Sequence, residues 1–300
     1  MAKKALIVGI DDYAPAGAGG PDLGGCVNDA RDIANTLHVL GIVPATPATM
    51  RVLTNGNATR ANILGGLNWL ISKPKTGDQL VFYYSGHGSQ LPDIVPERDE
   101  IDAKDETLCP HDFNSAGMIK DDDLARIFKN LPVGVNLEVI LDCCHSGQGT
   151  RDLTAATSAA TNGIVPEQIV VRYIEPTLDE AIFLEVDQTI PTRGLLKGRA
   201  GTRDAIATPA LNHVLWAACR DNQLSQELPI NGVRRGVFTY HFCRVLRRAG
   251  PGIARKALDA QVSREVRNTV GNQVPQLEGQ RAALGKAVFG ETRAAATTTA

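Results

Sequence analysis

Residues 137–147 read Leu-Glu-Val-Ile-Leu-Asp-Cys-Cys-His-Ser-Gly, and this stretch decides which fold is to be expected. Its apolar beginning predicts a buried strand, of the kind found in parallel sheets that are covered on both faces. An acid, two thiols, an imidazole and a glycine follow that strand. Because function in such sheets concentrates at the carboxyl ends of strands, residues 142–147 are candidates for a catalytic site.

A second stretch has the same form. Residues 79–88 read Gln-Leu-Val-Phe-Tyr-Tyr-Ser-Gly-His-Gly, an aromatic-rich strand that ends in a histidine between two glycines. His87 precedes Cys144 by a spacing compatible with the ~50 residues found in one class of enzymes with a cysteine nucleophile. A neighbouring imidazole lowers a thiol's pKa and returns a proton to the leaving group. A structural interpretation also fits, with Cys143 and Cys144 as small buried side chains and His87 as a loop residue.

Composition excludes several classes of function. The 300 residues are 43% hydrophobic and 21% charged, as in soluble globular proteins, and form one large domain or two small ones. A net charge of -2 provides no field for nucleic acid or an anionic membrane. No apolar run approaches the ~20 residues that span a bilayer. Six sparse cysteines, two of them adjacent, favour a reducing, cytoplasmic location.

Apolar periodicity predicts alternating strands and helices up to residue 147, and therefore an α/β fold with a mostly parallel sheet. The predicted strands are 5–10, 50–53, 80–84, 137–141 and 214–219, and the predicted helices are 26–40, 60–71, 121–130, 238–247 and 253–270. Residues 89–120 are polar, acidic and without periodicity, which predicts a long functional loop.

The two strand ends together resemble the metacaspases and their prokaryotic relatives, the orthocaspases, among the caspase-like cysteine peptidases of family C14. Further matching motifs occupy residues 23–30, 105–113, 119–124, 218–223, 236–240 and 273–277. The true-caspase signature Gln-Ala-Cys-Arg-Gly is absent, which favours the metacaspase branch. The resemblance implies a caspase-like three-layer α/β/α sandwich around a central, mostly parallel sheet.

The resemblance also implies how the chain is divided. Residues 1–150 form a large-subunit-like catalytic part, 209–290 a small-subunit-like part that completes the same domain, and 291–300 a disordered tail. Residues 151–208 are an intervening linker, the region in which family members cleave themselves. Its candidate self-cleavage sites are Arg151, Arg172, Arg193, Lys197, Arg199 and Arg203. A monomer is also implied.

Family positions make Cys144 the nucleophile and His87 its base. Strand alternation puts Cys143 and Cys144 on opposite faces, so only one thiol can meet His87. His145 is interpreted as a structural or electrostatic neighbour and not as a second base. The backbone amides of Gly88 and Cys144 are candidates for an oxyanion hole.

Substrate preference follows from four further positions. In the family, the residues matching Cys26, Asp29, Ser85 and Asp142 line the primary specificity pocket, which implies cleavage after Arg or Lys. Two carboxylates suit such a pocket, because a buried cation needs an anion beside it. A structural interpretation is that Asp29 helps to start a helix and that Asp142 caps a strand.

Calcium is the implied cofactor, and no organic cofactor is expected. Asp105, Asp121, Asp122 and Asp152 match positions that bind calcium in calcium-activated metacaspases, although Asp152 requires a one-residue slip in spacing. Calcium takes six to eight oxygen ligands, so these carboxylates with carbonyls and water would suffice. The alternative is an acidic surface that is merely solvated.

The predicted function is therefore a calcium-stimulated, self-processing cysteine endopeptidase. Its expected partners are proteins or peptides with Arg or Lys before the scissile bond, with no nucleic acid and no membrane. One rival is an inactive caspase-like interaction module, against which the retained His87 and Cys144 argue. Another is a zinc protein using Cys109, His111, Cys143, Cys144 and His145, but these lack CxxC or HxxxH-type spacing.

Overall fold

The computed structural model describes residues 1–13, 22–92, 104–144, 169–174, 213–220 and 223–290. Its strands are β1 (Lys3–Gly9), β2 (Met50–Thr54), β3 (Gln79–Ser85), β4 (Gly88–Pro92), β5 (Lys104–Leu108), β6 (Ile119–Lys120), β7 (Asn136–Asp142), β8 (Val170–Val171), β9 (Val214–Ala217), β10 (Gln226–Ile230), β11 (Val233–Gly236) and β12 (Gln276–Glu278). Its α-helices are α1 (Cys26–Val39), α2 (Arg60–Leu70), α3 (Phe113–Ala116), α4 (Asp121–Phe128), α5 (Val237–Ala249), α6 (Arg255–Val270) and α7 (Arg281–Leu284).

The central sheet has six strands in the order β12-β9-β7-β3-β1-β2. All neighbours from β9 to β2 pair in parallel, and β12 pairs antiparallel with β9 at one edge. Strands β9 and β12 come from the C-terminal part of the chain and extend the sheet that the N-terminal part begins.

Apolar side chains alternate between the two faces of this sheet, as strand geometry requires. In β3, Phe82 and Tyr84 join a cluster that includes residues of α2 and α4. Val81 and Tyr83 join the opposite cluster, which includes residues of α1, α5 and α6. Helices therefore cover both faces, which confirms the predicted three-layer α/β/α sandwich.

The prediction of a long loop over residues 89–120 is wrong for much of that range. Strands β4, β5 and β6 form an antiparallel three-stranded sheet there, and α3 lies between β5 and β6. Strand β5 reads Lys-Asp-Glu-Thr-Leu, and its charged residues are depleted in strands generally. Its polar residues Asp105 and Thr107 are buried through tertiary pairing, which periodicity could not reveal.

None of the helices in the described ranges is long and apolar enough to cross a membrane. The longest of them, α6, has 16 residues.

A buried charge cluster joins β7 to the C-terminal part. Glu138 accepts hydrogen bonds from Arg255 Nε at 2.8 Å, Trp216 Nε1 at 2.7 Å and the Phe289 N–H at 3.0 Å. The side chains of Glu138 and Arg255 are both fully buried. This pair ties β7 to α6.

Replacing Glu138 by Ala is expected to destabilise the protein by about 3–5 kcal/mol, because it leaves the Arg255 guanidinium buried without its anion. Chemical denaturation of the variant measures the loss. Val133→Ala is the matched control, since Val133 is 93% exposed and its truncation should cost less than about 0.5 kcal/mol. Equal stability of the two variants would contradict the role given to this ion pair.

Candidate active site

The register of two central strands aligns the predicted catalytic residues. Ser85 at the end of β3 pairs with Asp142 at the end of β7, and His87 and Cys144 each follow two residues later. The Gly86 N–H points to Asp142 O at 3.4 Å, so the two chains remain adjacent as they leave the sheet.

His87 is buried and its backbone is fixed by two tyrosines. The His87 N–H donates to Tyr13 Oη at 2.7 Å, and Tyr84 Oη donates to His87 O at 2.7 Å. The rings of Tyr13 and His87 have centroids 4.9 Å apart. A Cβ at Gly86 would lie 2.6 Å from Tyr13 Oη and 2.7 Å from Tyr84 Oη, so this turn requires glycine. The aromatic residues therefore position the histidine.

The adjacent cysteines have different surroundings. Cys143 belongs to the apolar cluster on the α2 and α4 face, and burial raises the pKa of its thiol well above the usual value. Cys144 Sγ instead accepts the Ser225 N–H at 2.7 Å and lies 3.3 Å from Ser225 O. Cys144 thus contacts the segment that leads into β10.

A segment of the chain itself lies across these strand ends. Strand β8 pairs antiparallel with β10, and the N–H of the next residue, Arg172, donates to Ser225 O at 3.2 Å. The Arg172 carbonyl oxygen accepts two N–H groups, from Gly88 and from Cys144, each at 3.1 Å. The two amides predicted for an oxyanion hole therefore converge on one peptide oxygen, next to the predicted nucleophile.

The Arg172 side chain fills a fully buried acidic pocket. Its Nη1 contacts Asp142 Oδ1 and Ser85 Oγ, both at 2.9 Å. Its Nη2 contacts Asp29 Oδ2 at 2.6 Å and Glu227 Oε2 at 3.2 Å. The two ends of the planar guanidinium thus each meet their own set of acceptors, a forked geometry that suits Arg.

Backbone amides hold the pocket carboxylates in place. Asp29 accepts the Gly236 N–H at 3.0 Å, and Asp142 Oδ2 accepts the Thr239 N–H at 3.2 Å and Thr239 Oγ1 at 2.6 Å. A Cβ at Gly236 would lie 2.6 Å from Arg172 Nη1, so glycine is needed for the guanidinium to enter. Backbone amides and Thr239 therefore help to orient the acceptors that surround the guanidinium.

Asp29 does not cap its helix, although it lies in the first turn of α1. Asp11 does so instead, because its carboxylate accepts the Cys26 N–H at 2.7 Å and the Val27 N–H at 3.2 Å. This frees the Asp29 carboxylate for the pocket. Burial raises the pKa of Asp29 to about 7, and the Arg172 guanidinium acts against that rise.

Of the four residues predicted for the pocket, Asp29, Ser85 and Asp142 contact the guanidinium directly. Cys26 lies beside it, with Sγ 3.9 Å from Glu227 Oε2. Sequence reasoning missed Glu227, whose carboxylate also accepts the N–H groups of Gly24 and Gly25 at 2.9 and 3.1 Å and lies 3.8 Å from Arg234 Nη1. No local motif around Glu227 indicates this role.

The predicted calcium ligands lie on the small sheet and the helix after it. Pairing of β5 with β6 brings Asp105 toward the start of α4, where Asp121 and Asp122 follow β6. Lys120 Nζ contacts Asp105 Oδ2 at 2.8 Å. Asp152, like His145, lies outside the described residues.

Within the described ranges, Asp11, Cys26 and Glu227 form a group whose possible metal-ligand atoms lie within 4.8 Å of one another. Both carboxylates of this group already accept backbone N–H groups, so we assign no metal to it. Of the set considered for zinc, Cys109 and Cys143 are buried in the apolar cluster, and His111 Nδ1 lies 2.6 Å from Asp12 O.

Solved structures define the class of fold. A crystal structure of a protein from Geobacter sulfurreducens superposes with a TM-score of 0.69 at 23% identity, covering 98% of this chain and 100% of that one. Caspase-1 from Spodoptera frugiperda superposes with a TM-score of 0.56 at 15% identity, covering 97% of this chain and 91% of that one. The fold is therefore caspase-like.

Sequence comparison gives the family. The model of the metacaspase, peptidase C14 domain matches residues 3–153. Metacaspase-1 of Ajellomyces capsulatus is 33% identical over 265 residues, which are 82% of this chain and 71% of that protein. Metacaspase-1A of Aspergillus oryzae is 32% identical over 82% of this chain and 60% of that protein. The chain belongs to the metacaspase family of caspase-like cysteine peptidases.

The chain is shorter than these relatives. It spans 60% of the length of the Aspergillus oryzae protein and 55% of Metacaspase-1 from Cryptococcus neoformans, to which it is 33% identical over 266 residues.

Proposed function

We propose that this chain is a cysteine endopeptidase that cleaves peptide bonds after arginine. One observation carries the proposal: Arg172 places its guanidinium among Asp29, Asp142 and Glu227 while its carbonyl oxygen accepts the N–H groups of Gly88 and Cys144. Recognition of the side chain and of the carbonyl therefore meets in a single residue, as cleavage after that residue requires.

The proposed chemistry uses Cys144 as the nucleophile and His87 as the base, the roles that the family resemblance implies. The Cys144 thiolate attacks the arginine carbonyl carbon, and the electron pair of the C=O bond moves to oxygen, where the two N–H groups stabilise it. His87 takes the thiol proton and returns it to the leaving amine as the C–N bond breaks, which yields a thioester. Water then hydrolyses the thioester, with His87 as its base, and releases the new carboxylate and the free thiol.

The same pocket favours arginine over lysine. Each end of the guanidinium meets a separate set of acceptors, whereas a single ammonium cannot reach Asp142 and Glu227 in the same way. We expect Arg substrates to be cleaved about tenfold more efficiently than Lys substrates, the difference of one charge-assisted hydrogen bond.

Self-processing is part of the proposal, and Arg172 is its site. The bond between Arg172 and Tyr173 follows the carbonyl that both amides bind, so it is the one presented to Cys144. Because Arg172 fills the pocket, the uncut chain excludes other substrates. Cutting this bond therefore both processes the chain and opens the cleft.

Arg172→Gln is expected to slow self-cleavage by at least about 100-fold, since it removes several charge-assisted hydrogen bonds that are each worth about 1.5–3 kcal/mol. Incubation of the wild-type chain with calcium should yield a fragment with Tyr173 at its N-terminus, detected by intact mass and N-terminal sequencing. Arg193→Gln, a change of the same chemistry in the same linker, is the matched control. Wild-type processing of the Arg172 variant at another residue would contradict the assignment.

Calcium is proposed as the activator, held by Asp105, Asp121, Asp122 and Asp152. These are the hard oxygen donors that calcium prefers, and the Lys120 ammonium on Asp105 marks a place that accepts positive charge. A bound ion would supply charge neutralisation next to β5 and β6. Peptidase activity would then depend on an acidic cluster outside the cleft.

Asp121→Asn is expected to raise the calcium concentration for half-maximal activity about tenfold, because it removes one charged ligand. Peptide hydrolysis is measured across a calcium titration and with excess chelator. Asp259→Asn, on α6, serves as the control. Full activity of the wild type in chelator would exclude calcium control.

A further inference from the structure

Beyond Arg172 the chain continues in extended form beside the start of β4. Gly88, at the start of β4, forms a parallel bridge with Tyr173. Its N–H donates to Arg172 O, and its carbonyl accepts the Ile174 N–H at 3.0 Å. One residue of β4 thus binds the backbone on both sides of the bond proposed for cleavage.

A second contact fixes the same stretch of backbone. Ser89 Oγ donates to Ile174 O at 2.7 Å, and the Ser89 side chain is fully buried. Leaving a buried hydroxyl without a hydrogen bond is costly. The Ser89 side chain of β4 is therefore suited to bind the carbonyl of the second residue after the bond.

The side chain that follows these contacts is apolar and enclosed. Ile174 is 8% exposed and belongs to the apolar cluster that also contains Leu91 of β4 and Cys143. Tyr173 is only half-buried. The protein therefore encloses the side chain of the second residue after the bond, and leaves that of the first partly exposed.

We infer that the cleft has a leaving-side subsite, formed by the beginning of β4, that selects an aliphatic side chain at the second residue after the cleaved bond. Ile174 fills it in the uncut chain. This inference rests on the proposed function and names a further part of the substrate: an extended peptide with arginine before the bond and an aliphatic residue two positions after it. A charged side chain at that position would be buried in the apolar cluster without a partner.

The test uses the full chain after processing in calcium. Fluorescence-quenched peptides with the sequence Val-Val-Arg-Tyr-Xaa carry Ile, Leu, Ala, Asp or Lys at the last position. We expect kcat/KM for Ile to exceed that for Ala about tenfold and that for Asp or Lys about 100-fold, in the range that pocket contacts provide. A Val-Val-Arg coumarin peptide, which has no residue in the subsite, reports cleavage independently of it.

Three outcomes decide the matter. The expected order of rates supports the subsite, and equal rates for all five peptides with the coumarin peptide cleaved would overturn it. Failure to cleave the coumarin peptide would overturn the proposed function, and the subsite with it. As a second measurement, Ser89→Ala should lower the ratio of the Ile-peptide rate to the coumarin-peptide rate at least threefold; an unchanged ratio would exclude Ser89 from the subsite.

Discussion

Hydrolysis of a Val-Val-Arg coumarin peptide is expected to fall at least about 10⁴-fold in Cys144→Ala, and to persist in Cys143→Ala, because loss of a nucleophile removes the covalent pathway altogether. Cys143 is the adjacent thiol that the sequence offers as an alternative nucleophile. Its thiol lies in the apolar cluster, where burial raises its pKa and suppresses the reactive thiolate. Truncating it should cost stability, about 1 kcal/mol, and not activity.

The design must separate loss of chemistry from loss of processing. Cys144→Ala cannot cut its own chain, so Arg172 would still fill its pocket. An already cut form of each protein is therefore produced by co-expressing residues 1–172 and 173–300, and activity is measured on the purified pair. A cut variant that remains inactive, beside a cut wild type that is active, identifies the nucleophile.

The reverse pattern, with activity lost in Cys143→Ala alone, would transfer the nucleophile to the core thiol. A wild-type protein that is folded but inactive on every peptide, with and without calcium, would favour the inactive interaction module.

Much of the fold was predictable because its central strands are long and apolar. Strands β1, β3 and β7 each have seven residues and follow clear patterns, and turn residues follow β3 and β7. Strands such as β5 and β10 were not predictable, because tertiary pairing and not local pattern specifies them. Such strands make up most of the two small sheets beside the active site.

The pocket residues likewise divide into those that the sequence predicts and those that it does not. Asp29, Ser85 and Asp142 lie beside strong motifs and were accessible to sequence reasoning. Glu227 reaches the pocket from β10, about 200 positions along the chain from Gly24 and Gly25, whose amides orient it. Of the six basic linker residues predicted as self-cleavage sites, Arg172 lies in the described part of the chain, next to the two-residue strand β8, and Arg151, Arg193, Lys197, Arg199 and Arg203 lie outside it.

Glu227→Gln is expected to lower kcat/KM for Arg peptides about 100-fold. It removes one of three carboxylates around a fully buried guanidinium, and it also turns an amide NH₂ toward the N–H groups of Gly24 or Gly25. Because the lost contact is present in the bound substrate, the change should appear mainly in KM. Glu265→Gln on α6 is the matched control, and an unchanged KM for Arg peptides would remove Glu227 from the pocket.

Asp29 gives this pocket a pH dependence. Its pKa is about 7 with the guanidinium bound, raised by burial, and loss of the cation would raise it further. Below pH 7 the carboxyl is neutral in both states, so guanidinium affinity should be flat there and rise as the pH increases above about 7. Asp29→Asn should therefore cost little at pH 6 and about fivefold to tenfold more in KM at pH 8, one pH unit corresponding to at most a factor of ten. An equal cost at both pH values would mean that the ionisation of Asp29 does not change between pH 6 and pH 8, which would contradict this prediction.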